Sequence, residues 1–152
     1  MSKDGIEKIY EAEQSWMTDP DYENFCKAVS LTDPACDDTY GYQSITQYFQ
    51  TELDTNSLTE ADVDGLISLL ATDDSQWDIW KGLIGADYER TGANPSTTRL
   101  RSFYLYSTPF EGFNDANDRR SEQAKLLYEW EEEHYSQFRE EATDEFEVLI
   151  LS

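Results

Sequence analysis

Along most of the chain, apolar residues recur at the spacing of a helix rather than of a strand. In "SKDGIEKIYEAEQSWM", Ile6, Ile9, Tyr10, Trp16 and Met17 share one side. "DPDYENFCKAVSL" opens with Asp19 as an N-cap and Pro20 at the first helical position, and Tyr22, Phe25, Cys26 and Val29 form its apolar face. A polar, Asp-rich connection over 32–42 follows. "SITQYFQTEL" predicts a shorter helix through Ile45, Tyr48, Phe49 and Leu53. "SLTEADVDGLISLL" begins as a capping box, Ser57 with Glu60, ahead of a stripe of Val63, Leu66, Ile67 and Leu70. "DSQWDIWKGLIGADY" places Trp77, Trp80, Ile84 and Tyr88 on one side of the next helix.

The pattern changes at "RTGANPSTT", whose Gly, Asn and Pro predict a loop. "RLRSFYLYS" and "EFEVLIL" are β-rich and too short for ordinary helices, which predicts strands near 99–107 and 145–151. Between them the longest helix runs from about Asp118 to Ala142. The expected fold class is α+β, mostly helical, with five or six helices and a small sheet made by those two strands. A length of 152 residues fits one compact domain, 1–152, able to bury about two-thirds of its unfolded surface.

Charge alters this plain picture. Thirty-three acids against eleven bases give a net charge of −22, far beyond the magnitude of roughly 2–8 that suffices for solubility. Self-repulsion on this scale destabilises a compact state and asks for a reason. Direct binding to nucleic acid or to an anionic membrane is disfavoured, since both select basic surfaces. With 14% aromatic residues the chain does not have the composition of a disordered one. No apolar run approaches 18 residues and no charged-plus-apolar leader is visible, so a cytoplasmic protein is expected. Cys26 and Cys36 are then reduced by default, although their spacing allows a disulfide.

Acids are densest at the C-terminal end, where 111–152 holds thirteen acids and four bases, a net of −9. Conversely, Arg90 to Phe110 contains three arginines and no acid. "YEWEEEHYSQFREEA" packs six glutamates and the only histidine into fifteen residues. On a helical wheel, Ala124, Leu127, Tyr128, Tyr135, Phe138 and Ala142 fall on one side. Glu122, Glu129, Glu132, Glu133 and Glu140 fall on the opposite and flanking sides, repeating about once per turn of roughly 5.4 Å. Trp130 borders that acidic face and has the character of an interface anchor; a wider buried face would claim it instead. Glu131 sits within the apolar stripe, which calls for a hydrogen bond or a partner such as Arg99 or Arg101.

Little of this supports catalysis. Glu131-x-x-His134 has the spacing of a di-metal carboxylate bundle, but that site needs a second histidine the chain does not have. No Gly-x-Ser-x-Gly turn, P-loop or dinucleotide-binding glycine pattern occurs. Around Asp62, Asp64 and Gly65 a calcium loop is faintly outlined, yet Ala71 stands where its closing glutamate belongs. Asp33, Asp37 and Asp38 in "DPACDD" could hold a cation loosely, but Asp-Pro and Asp-Asp are ordinary turn and cap chemistry. No metal or cofactor is expected.

The expected function is that of a non-catalytic acidic inhibitor or decoy. Its partner is a basic protein, one that binds or processes nucleic acid. Phage counter-defence proteins that imitate DNA, and immunity proteins of nuclease toxins, share this charge and size. Candidate partner-binding residues are Glu122, Glu129, Trp130, Glu132, Glu133 and Glu140, extended by Asp73, Asp74 and Asp78. Two other readings fit the same composition: a generic protein of a salt-adapted organism, and a metal-dependent enzyme built on carboxylates alone.

Overall fold

The computed structural model describes residues 1–20, 22, 28–30, 33–36, 42–92, 95–104, 109–110 and 112–141. These are mostly helical, with five α-helices: α1 Lys3–Met17, α2 Gln50–Asp54, α3 Glu60–Thr72, α4 Asp74–Trp80 and α5 Arg120–Glu141. Contacts divide the chain into two compact units, Met1–Glu11 with Tyr42–Tyr104, and Ala12–Gly41 with Leu105–Ser152. The boundary falls inside α1, so that Ile6 belongs to the first core and Trp16 to the second.

In the first unit the core is built by Ile6, Ile45, Phe49, Leu53, Leu58, Val63, Leu66, Ile67, Leu70, Ile84 and Tyr88. The expected stripe of α3 is therefore the buried one. A 3-10 turn, Ile45–Phe49, leads directly into α2. Ser44 caps it: its Oγ accepts from the Thr46 N–H at 3.2 Å, and the Gln47 side chain returns to the Ser44 N–H at 3.3 Å.

The cap of α3 lies two residues later than the sequence suggested. Thr59, in extended conformation, accepts from the Asp62 N–H at 3.3 Å, and the Asp62 carboxylate accepts the Thr59 N–H at 2.8 Å. Ser57 instead closes the end of α2, donating its N–H to the Glu52 carbonyl at 2.8 Å. Asn56 makes that exit possible with a φ of 50°, a left-handed conformation that asparagine tolerates better than most residues.

Helix α4 also ends earlier than expected, at Trp80. Ile84 leaves the helix to pair in an antiparallel bridge with Leu100. The Gly85 N–H donates to the Arg99 carbonyl at 2.8 Å, and the Arg101 N–H to the Leu83 carbonyl at 2.9 Å. Any residue but glycine at 85 would drive its Cβ to 2.6 Å from the Arg99 Cβ, so the sequence reserves this crossing for a bare backbone.

Among the described residues, strand is limited to short pieces. Phe103–Tyr104 pairs antiparallel with Tyr42–Gln43; the partner expected for it, 145–151, lies outside the described residues. Ala28–Ser30 pairs with Asp33–Cys36, which replaces the end of the helix expected over 20–31. Val29 is β-branched and suits this extended pairing. Phe25 and Cys26 lie outside the described residues.

The second unit packs Trp16, Tyr22, Phe110 and Trp130. Gln123 fixes the start of α5 from inside. Its Oε1 accepts the Phe110 N–H at 3.1 Å, and its Nε2 donates to the carbonyls of Asp118 at 2.7 Å and Asp115 at 3.1 Å. A buried amide so fully used is a structural device, since an unmatched one would cost about 1–3 kcal/mol.

Candidate functional site

The C-terminal helix carries most of the expected surface, and the structure sets its rotation. Gln123 and Trp130 are buried, with Leu127 and Glu131 half-buried, so the inward side follows an i, i+4, i+7, i+8 pattern. Ala124 and Tyr128, expected on that side, are exposed; Tyr128 keeps 60% of its surface. The inward side is thus turned toward Trp130. This rotation buries the large indole of Trp130, whose N–H finds a partner in Asp19, and leaves Tyr128 exposed.

Trp130 is therefore not a surface anchor. It meets Trp16 edge to face with ring centres 5.2 Å apart, lies 6.2 Å from Tyr22, and donates its indole N–H to Asp19 at 3.2 Å. Only 6% of it is exposed.

Glu122, Glu129, Glu132 and Glu133 are all exposed on the outward side of α5. Two of them sit in weak local pairs: Glu122 with Arg119, just before the helix, and Glu129 with Lys125 within it, each at 3.4 Å. Exposed pairs of this kind contribute about 0–1 kcal/mol, so competing bases can exchange them. The side chains of Glu140 and His134 lie outside the described residues.

Half-burial raises the pKa of Glu131, with desolvation the sole cause. Among the described residues no arginine pairs with Glu131, so the partner expected in Arg99 or Arg101 is not found there and the carboxyl ionises less readily than usual.

Asp73, Asp74 and Asp78 belong to the first unit, and each is engaged there. Asp73 caps α4, its Oδ1 accepting from the Ser75 N–H at 2.8 Å, the Gln76 N–H at 3.2 Å and the Ser75 hydroxyl at 2.6 Å. The Ser75 hydroxyl and then the Gln76 N–H lower its pKa. Asp74 pairs with Arg90 at 2.6 Å and Asp78 with Lys81 at 2.7 Å. Asp73 is spent on the cap of α4, while Asp74 and Asp78 keep exposed side chains in pairs of the same kind as those of Glu122 and Glu129.

Two carboxylates escaped the sequence reading. Glu13 is buried at 3% exposure, one turn before Trp16 on α1. Asp87 organises the loop before the Ile84–Leu100 crossing. It accepts from the Thr98 N–H, the Thr98 hydroxyl and the Thr97 hydroxyl, each at 2.8 Å, and these bonds bring its pKa down to about 2. An acid two residues after a tight glycine, facing a Thr-Thr pair ten residues on, was the available signal for it.

Among the described residues no three His, Cys, Asp or Glu side chains gather as a metal site, and no helix is long and apolar enough to cross a membrane. Asp62, the strongest element of the faint calcium loop, is spent on capping α3. Comparisons with protein families, with curated proteins and with solved structures returned no match to this chain.

Proposed function

We propose that the protein is a non-catalytic acidic ligand for a basic surface of another protein, one whose basic surface ordinarily holds nucleic acid. The observation that carries this reading is the row of exposed glutamates on the outward side of α5, in a chain of net charge −22. From Glu122 to Glu133 the row covers about 16 Å at about 1.5 Å per residue, with a carboxylate at nearly every turn. A helix holds these charges in fixed order, so a partner's arginines and lysines meet a prepared lattice, and the overall field hastens their encounter.

The neighbouring Arg119 and Lys125 do not close the face to a partner. Arg119 is shared between Asp118 and Glu122, and Lys125 pairs with Glu129; these weak exposed pairs are easily exchanged for a bidentate arginine. Trp130 has no part in this surface; it holds α5 in place.

The test is affinity capture from a nuclease-treated lysate of the source cell or its host, eluted with rising salt. One basic protein, released at moderate salt and displaced by added DNA or RNA, is the expected result. If capture yields proteins that nucleic acid does not displace, the decoy reading fails.

A further inference from the structure

In the first unit, exposure alternates along residues 99–103. Arg99, Arg101 and Phe103 are exposed, while Leu100 and Ser102 are half-buried. A period of two is that of an extended chain, which sets the three exposed side chains on one side at steps of about 6.6 Å. The backbone beneath them is held by its neighbours. The Gly85 N–H donates to the Arg99 carbonyl, the Arg101 N–H donates to the Leu83 carbonyl, and Phe103 pairs with Gln43. The three side chains are therefore presented in a fixed order.

Neither guanidinium in this stripe is neutralised. Lys3, Lys81, Arg90, Arg119 and Lys125 each pair with a carboxylate, whereas Arg99 and Arg101 pair with none among the described residues. Asp87 comes close, since a Cβ built on Gly85 would meet both its carboxylate and the Arg99 Cβ. That carboxylate is instead occupied by Thr97 and Thr98. The sequence from Arg90 to Phe110 supplies no acid that is closer along the chain. With 33 acids to 11 bases, two exposed arginines without a carboxylate are a locally positive surface on a negative protein. Phe103, 45% exposed, closes the run with an apolar ring.

We propose that Arg99, Arg101 and Phe103 form a docking stripe for an extended acidic segment of another protein, one with carboxylates at two alternate positions and an apolar side chain at the next. An extended peptide repeats its side chains at the same step as the stripe, so each carboxylate meets one guanidinium fork. Alternate side chains then read the sequence, as in other recognition of extended peptides. A single nucleic-acid strand matches less well. It carries a charge at every nucleotide, and two arginines answer two of them while the rest face a body of −22. A segment with two acids meets little of that repulsion, which is screened beyond about 8 Å at physiological salt.

The contact is small. Three side chains fall short of the roughly 1,200 Å² buried in stable interfaces, so binding is weak and falls with added salt. It lies within the first unit and does not depend on the glutamates of α5.

The test is fluorescence anisotropy of a labelled, end-capped peptide centred on Glu-Thr-Glu-Thr-Leu, titrated with the full chain at low salt. A Kd of about 0.1–1 mM is expected. Arg99→Gln and Arg101→Gln each weaken binding at least about threefold, with no change in melting temperature, since both side chains are exposed. A peptide with its acids adjacent, Glu-Glu-Thr-Thr-Leu, binds more weakly, and one with glutamine for both glutamates does not bind. Absence of binding up to about 1 mM would overturn the proposal, as would equal binding by the arginine variants or by the adjacent-acid peptide. A single-stranded oligothymidylate that binds more tightly than the peptide would overturn it too and assign the stripe to nucleic acid.

Discussion

Trp130 of α5 and Trp16 of α1 meet edge to face at 5.2 Å and together form the centre of the second unit's described core. The positive edge of one ring against the negative face of the other contributes about 0.5–1.5 kcal/mol beyond the area buried. Trp130→Ala is therefore expected to cost about 3–5 kcal/mol of stability. Trp130→Phe keeps the ring contact but loses the bond to Asp19, at about 1 kcal/mol. Urea unfolding followed by circular dichroism measures both. An unchanged midpoint for the alanine variant would contradict a core role.

The cap of α3 offers a comparison between neighbouring hydroxyls. Thr59→Ala is expected to destabilise by about 1 kcal/mol, the usual value of an N-cap, and Ser57→Ala by clearly less. Thermal melts of the two variants decide it. The reverse order would place the cap at Ser57.

Burial raises the pKa of Glu131, so its ionisation opposes folding. Stability contributed by the neutral form is complete below the ordinary value near 4.5 and is lost as pH rises through the higher folded value. Glu131→Gln should accordingly raise the melting temperature at pH 7, and the gain should vanish near pH 3. A variant that melts lower at pH 7 would mean the carboxylate is paired after all.

For Asp87 the sign is opposite. Its folded pKa, about 2, lies below the unfolded 3.8, so its contribution is present above the unfolded value and is lost as pH falls toward 2. Asp87→Ala removes three hydrogen bonds that hold Thr97 and Thr98, which predicts a loss of about 1–3 kcal/mol at neutral pH. The difference from the parent chain should shrink below about pH 3. Denaturation midpoints between pH 2 and 7 report it; a constant difference would mean that the bonds do not depend on charge.

Much of the helical frame was legible because a one-sided apolar stripe is a strong signal, as in α3, where all four expected residues are buried. Ends were harder. Ser57 and Thr59 are both good caps, and only the turn at Asn56 decides between them. Ile84 and Tyr88 fit a helical spacing after Trp80, yet the backbone pairing of Gly85 with Arg99 is a tertiary effect invisible to periodicity. The rotation of α5 was misread for a related reason. Its wheel holds aromatics on several sides, and the partners Trp16 and Tyr22 that select Trp130 lie more than a hundred residues away. The outward glutamates needed no partner to be recognised, and their exposure agrees with the spacing.

The proposed role of the outward glutamates of α5 is to engage a basic, nucleic-acid-binding partner. Its most direct test compares the chain with its Glu129→Gln, Glu132→Gln, Glu133→Gln triple variant in capture from nuclease-treated lysate over a salt gradient. Both proteins are expected to fold alike; the parent should retain one basic protein until moderate salt or added DNA releases it, and the variant should release it at distinctly lower salt. Equal retention by the two proteins would contradict the placement of the site on α5.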